Sequence, residues 1–91
     1  MNFNWDLAKA ERNRSKHGVD FEEAKTAFHD PLFVIFEDPR HSIEERRFLL
    51  LGQSCKGRLL VVSHTERGGI TRLISARRAT KRERNVYEEE I

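Results

Sequence analysis

Gly68 and Gly69 stand between two strand-like runs, Arg58–Thr65 and Ile70–Arg77, and this pair constrains the fold more than any other feature. Two glycines at the centre of a short connection supply the positive φ angles that a tight hairpin turn needs. A second short connection, around Lys56-Gly57, joins Arg47–Leu51 to Arg58–Thr65. Connections this short cannot carry parallel crossovers, so the three runs form an antiparallel meander. Leu32–Glu37, apolar and rich in Val, Ile and Phe, is the expected fourth strand, followed by a loop over Asp38-Pro39-Arg40-His41-Ser42. Phe3-Asn4-Trp5 is a candidate short edge strand.

The remaining segments carry helix punctuation. Asp6 is placed to cap a helix that runs to about His17, and Gly18 follows where a left-handed residue ends many helices. Asp20 and Glu23 have capping-box spacing, with Val19 and Ala24 as the accompanying hydrophobic pair. Phe21, Ala24 and Phe28 share a face of this second helix, and Asp30-Pro31 ends it. Thr80 and Glu83 open a last helix carrying Val86, Tyr87 and Ile91. Two helices, an antiparallel sheet and a final helix define an α+β fold. Ninety-one residues support one domain, 1–91, with a modest core.

Composition excludes several classes. No apolar run approaches the ~20 residues of a membrane span, and no secretory leader is recognisable, so a soluble, cytoplasmic protein is expected. Cys55, the one cysteine, precludes an internal disulfide and lies in a polar turn with no neighbouring His, which makes it an inert thiol. His17, His29, His41 and His64 lack the close spacing of common metal ligands, so no metal and no cofactor is expected. Phosphate loops, nucleophile elbows and dinucleotide fingerprints are absent.

The net charge of +2 conceals a steep gradient. Residues 67–84 carry +6, from Arg67, Arg72, Arg77, Arg78, Lys81, Arg82 and Arg84 against Glu83, whereas residues 1–30 carry −1. Arg dominates this segment, and its planar fork pairs with phosphate through two hydrogen bonds. Some of these arginines fall inside an apolar strand pattern, where a partner is needed. Either a phosphate ligand or a carboxylate such as Glu45, Glu66 or Glu83 would serve. With Gly68-Gly69 central in the turn, His64 pairs with Leu73 and Val62 with Ser75. That register puts His64, Ser75 and Arg77 on one face and Arg72 on the other, unless a bulge intervenes.

Several stretches resemble BrnT-type toxins, in the same order along nearly the whole chain. They are Trp5-Asp6, Asn13 with Lys16-His17-Gly18-Val19, Phe21-Glu22-Glu23-Ala24, Asp38 to Ser42 with Arg47 to Gly52, and Gly57 to Val62. The most specific is Arg72-Leu73-Ile74-Ser75-Ala76-Arg77-Arg78-Ala79, followed by Glu83 and Tyr87. The resemblance implies a RelE-like fold and a type II toxin that cleaves RNA and is neutralised by an antitoxin. It further implies that the antitoxin carries a ribbon-helix-helix domain, so that operator DNA is reached only through that partner. Metal-independent RNA cleavage needs a proton acceptor, a proton donor and stabilisation of charge on phosphorus. Arg72, Arg77 and Arg47 are the expected charge stabilisers, and His64, Glu45 and Tyr87 the candidates for proton transfer. Arg78, Lys81, Arg82 and Arg67 would hold the RNA backbone, while Glu83 has a competing role as a helix cap. The rival reading is a non-catalytic module that uses the same basic surface to bind nucleic acid or an acidic partner.

Overall fold

The computed structural model describes residues 1–89, so Ile91, expected on the last helix, lies outside the described residues. The order of elements is β1 (Asn2–Asn4), α1 (Leu7–His17), α2 (Phe21–Thr26), β2 (Val34–Glu37), β3 (Phe48–Gln53), β4 (Leu59–Arg67), β5 (Ile70–Arg78) and α3 (Lys81–Glu89). Single 3₁₀ turns follow α2 at Ala27–His29 and β2 at Pro39–His41. The five strands form one sheet in the order β1-β5-β4-β3-β2. β2 to β5 make the expected meander, and β1 adds a parallel pairing to the start of β5.

The local punctuation acts as its chemistry dictates. Asp6 accepts a hydrogen bond from the Lys9 amide, and Gly18 closes α1 at φ 69° with its amide on the Arg14 carbonyl. The Asp20 carboxylate accepts from the Glu23 amide at 2.7 Å. Thr80 and Glu83 complete a reciprocal box, Thr80 N to Glu83 Oε1 at 2.8 Å and Glu83 N to Thr80 Oγ1 at 3.2 Å. Gly52 is needed for a different reason: a Cβ there would stand 2.7 Å from the Ala27 carbonyl oxygen.

Both faces of the sheet are covered, unequally. One carries Leu50, Leu60, Val62, Leu73 and Ala76 against Val19, Phe21, Ala24, Ala27 and Phe28 of the α1–α2 region. The other carries Leu51, Leu59 and Val61 against Tyr87 of α3. α3 packs over the end of that second face that carries Leu51, Leu59 and Val61; the part nearest the β4–β5 turn lies beyond that cluster, although Ser63 and Thr65 are buried there. At the sheet's margin, β2 exposes Ile35 and Phe36. Beneath the helices, Glu23 is buried and satisfied by Arg58, by the Ser54 hydroxyl at 2.7 Å and by Lys56 at 4.0 Å.

The register of β5 departs from the simple hairpin. His64 pairs with Leu73 as expected, but Ser63 pairs with Ser75 and Val62 with Ala76, leaving Ile74 as an extra residue between them. Leu73 and Ala76 are three apart and cannot share a face in a regular strand, yet both are buried under the helices. The bulge reconciles them. Asn13 fastens the far side of the bulge: its Oδ1 accepts from the Ala76 amide at 3.0 Å and its Nδ2 donates to the Ala76 carbonyl at 2.8 Å, as a neighbouring strand would.

Candidate active site

The bulge decides which predicted residues meet. Arg72 pairs with Thr65, Ser75 with Ser63 and Arg77 with Val61, so Arg72, Ser75 and Arg77 share the second face while His64 lies on the one covered by α1 and α2. This reverses the expected grouping of His64 with Ser75 and Arg77. On the second face, Thr65 lies across from Arg72 with a buried hydroxyl that has no partner among the described residues.

Above the β4–β5 turn end of this face, the β2–β3 connection folds into a compact loop. The Asp38 amide donates to the Arg47 carbonyl at 2.8 Å, and the Arg47 amide donates to the Ser42 hydroxyl at 3.0 Å. Pro39 begins the 3₁₀ turn, which places His41 three residues after Asp38. His41 Nδ1 then meets Asp38 Oδ2 at 2.9 Å, with Asp38 mostly buried and His41 largely exposed. The contact holds the ring by one nitrogen and leaves Nε2 for other chemistry.

His41 borders a cleft of about 420 Å³ together with Arg40, Ile43, Glu44, Glu45, Arg47 and Arg67, and Arg72 stands outside its lining. Glu45 bonds Arg67 through two hydrogen bonds, at 2.6 and 2.8 Å. Those bonds hold the Glu45 carboxyl below its ordinary value against a smaller opposing effect of burial, and the charges of Arg67, Arg47 and Arg72 lower it further. Arg67 is thus bonded to Glu45, and Arg47 and Arg72 act on it through their charge alone. Among the described residues, no carboxylate forms an ion pair with Arg40, Arg47 or Arg72, and Arg72 donates to Asn4 Oδ1 at 3.2 Å. The cleft lining thus holds the Arg67–Glu45 ion pair, with Arg40 and Arg47 beside Glu44 as its remaining charges.

The other predicted residues lie elsewhere. Arg77 forms a two-pronged pair with Glu83, both bonds 2.8 Å, which ties β5 to the start of α3. The hydrogen bonds from Arg77 pull the Glu83 carboxyl down to about 2, with Thr80 adding to the shift. Both terminal nitrogens of Arg77 are thereby engaged by Glu83. His64 is 3% exposed, with its ring against Phe28 and Phe48. Burial pushes its pKa down, against weaker opposition from the Val62 carbonyl and the Glu66 charge. Its ring is thus enclosed on the helix-covered face, apart from the cleft that His41 borders. Tyr87 is buried beneath α3 and donates to Asp30 at 2.6 Å. Burial first, and then this bond, push its phenol up to about 12. Arg78 is exposed at the end of β5, with Lys81 and Arg82 exposed on the first turn of α3.

From the sequence, Arg40 is given no role, and His41 in a loop beside Asp38 reads as either functional or merely exposed. The three-residue spacing was visible, but only the 3₁₀ turn brings those side chains together. Among the described residues, no three His, Cys, Asp or Glu side chains group so as to hold a metal ion.

The family profile for BrnT, the ribonuclease toxin of type II toxin–antitoxin systems, matches residues 5–83. The chain belongs to the BrnT family. A solved structure, the Brucella abortus ribonuclease toxin BrnT, is similar to this BrnT-family chain with a TM-score of 0.70 and 23% identity. The similarity covers 89% of this chain and 99% of that one, so the two share a fold. Comparison with curated protein sequences gives no match. Membership in the BrnT family makes this chain a ribonuclease toxin whose system includes a cognate antitoxin.

Proposed function

We propose that this chain is an endoribonuclease that cuts RNA in the cleft between the Asp38–Arg47 loop and the β4–β5 turn end of the sheet, by acid–base chemistry without a metal ion. The observation that carries this reading is the placing of Arg40, Arg47 and the Arg67–Glu45 pair in one cleft with the Asp38-held imidazole of His41. In the proposed step, a 2′-hydroxyl loses its proton and attacks the adjacent phosphorus, and the 5′-oxygen leaves with a proton. The His41 imidazole, held by Asp38 through Nδ1 with Nε2 toward other partners, is the group placed for the proton transfers. Arg47 and Arg72, having no carboxylate partner, are free to stabilise the charge that builds on phosphorus. Arg40 adds a backbone contact, as do Arg78, Lys81 and Arg82 further along the surface. Glu45 fixes the Arg67 fork and remains an anion, a weak base at best. Binding of a cognate antitoxin with a ribbon-helix-helix domain would neutralise the toxin and bring operator DNA only through that partner.

The test is cleavage of RNA in EDTA by the wild type and by Arg72→Ala, Arg47→Ala and His41→Ala, with folding checked by thermal melting. Each substitution is expected to lower the rate by about 10²-fold or more at matched melting temperature. Undiminished cleavage in all three would remove the cleft from the mechanism. Salt-dependent RNA binding by the wild type with no product at any time would favour the non-catalytic binding module.

A further inference from the structure

The amino-terminal thirty residues are net acidic, yet α1 presents one strongly basic side. Lys9, Arg12 and Lys16 recur at helical spacing on a single face. The acidic Glu11 lies off that face and pairs with Arg14 at 3.7 Å. Among the described residues, Lys9, Arg12 and Lys16 have no carboxylate partner within ion-pair distance. This face borders a groove of about 350 Å³ closed on its other side by Ile74 and Ser75, with His17 at one end and no acidic residue in its lining.

The groove exists because β5 is uncovered there. β1 pairs only with Ile70 to Arg72, and Asn13 engages the backbone at Ala76, so the bulged stretch between them is an open edge. Ser75 is three residues from Arg72, about 10 Å along the strand. One short length of β5 thus links the basic groove to Arg72, whose charge acts on the cleft carboxylate Glu45. Ile74 is the one aliphatic residue in the lining, and the rest of its apolar surface is the stems of Lys9, Arg12 and Lys16, which carry their charges along the groove. A phosphodiester chain requires a line of cations and polar edges, which it has.

We propose that the groove between α1 and the bulged edge of β5 is a second subsite for the RNA backbone, holding single-stranded RNA whose scissile bond lies in the cleft. The proposal rests on the endoribonuclease reading for its substrate, and the experiment separates the two. RNA oligonucleotides made wholly of 2′-O-methyl residues lack the attacking hydroxyl, so binding is measured without cleavage. Lengths of about 6 and about 20 nucleotides span one or both subsites. Wild type is compared with the Lys9→Gln/Arg12→Gln/Lys16→Gln variant by fluorescence anisotropy across a salt series. Affinity for the longer RNA is expected to fall at least about tenfold near 0.1 M salt, and its salt slope by about two, from three contacts at about 0.7 each. Affinity for the short RNA is expected to hold. A Lys9→Arg/Lys16→Arg variant should bind as wild type.

Equal slopes for the triple variant and wild type would overturn the subsite. Equal losses for short and long RNA would do the same, since they would mark a diffuse charge effect. So would a loss confined to duplex DNA, or one confined to the antitoxin. Wild type that binds the long RNA with the expected slope, yet never cuts unmodified RNA, would refute the endoribonuclease reading and leave the subsite standing.

Discussion

The imidazole of His64 is enclosed by Phe28 and Phe48, whereas that of His41 stands in solvent with one nitrogen on Asp38. Their consequences differ accordingly. Because burial depresses the His64 pKa below the ordinary 6.5, the folded protein keeps the ring neutral while the unfolded chain can protonate it. Protonation therefore favours unfolding, and stability falls as pH drops below 6.5 toward the folded value. The wild-type melting temperature is expected to decline between about pH 7.5 and pH 5.5. His64→Leu, of similar volume, should flatten that decline. A wild-type profile that is already flat in this window would contradict the burial argument. The structural carboxylates titrate lower: the Glu83 contribution is complete above 4.5 and is lost only as pH falls toward about 2. The two windows do not overlap.

At the scale of elements, β5 does most of the positioning. Its bulge sends Leu73 and Ala76 into the core and turns Arg72, Ser75 and Arg77 outward together. Without the extra residue, Arg77 would enter the helix-covered core, where a guanidinium has no partner and its burial is costly. With it, Arg77 reaches Glu83, and a single carboxylate both caps α3 and fastens that helix to the sheet. The pair is roughly one-third exposed, so solvent screening limits its contribution. Glu83→Ala removes cap and tie together and is expected to cost about 1–3 kcal/mol, read from denaturant midpoints. Arg77→Ala removes only the tie and should cost less. An Arg77→Ala protein that is fully stable but inactive would restore the expected catalytic role of this residue and refute the docking role.

For the molecule as a whole, a net charge of +2 says little, because the cations gather where carboxylates are few. In the loop and hairpin cleft, Arg40, Arg47 and Arg67 outnumber Glu44 and Glu45, while Glu23, Glu37 and Glu83 are each engaged by a separate arginine. This segregation leaves a field able to draw in a polyanion. No helix among the described residues is long and apolar enough to cross a membrane. Expression of the wild type alone is expected to arrest growth, and co-expression of the cognate antitoxin to restore it. Arg72→Ala should be tolerated at the same protein level. Harmless accumulation of folded wild type would count against the toxin activity proposed here.

Helix caps, turns and strand periodicities were legible in the sequence because each depends on residues a few positions apart. Asp6, Asp20, Thr80 and the glycines at 18, 68 and 69 act over that range, and so the α+β order could be read directly. The charged segment 67–84 was equally visible as composition. Which of its arginines remain available was not, because an ion pair joins residues distant in sequence: Arg67 meets Glu45 across the hairpin and loop, and Arg77 meets Glu83 across a helix start. The bulge at Ile74 follows from the demand of two packed strands that Leu73 and Ala76 both be buried, and the basic side of α1 gained meaning only beside the open edge of β5. Local chemistry determined the elements, while desolvation and pairing between distant elements decided which charges were left for a substrate.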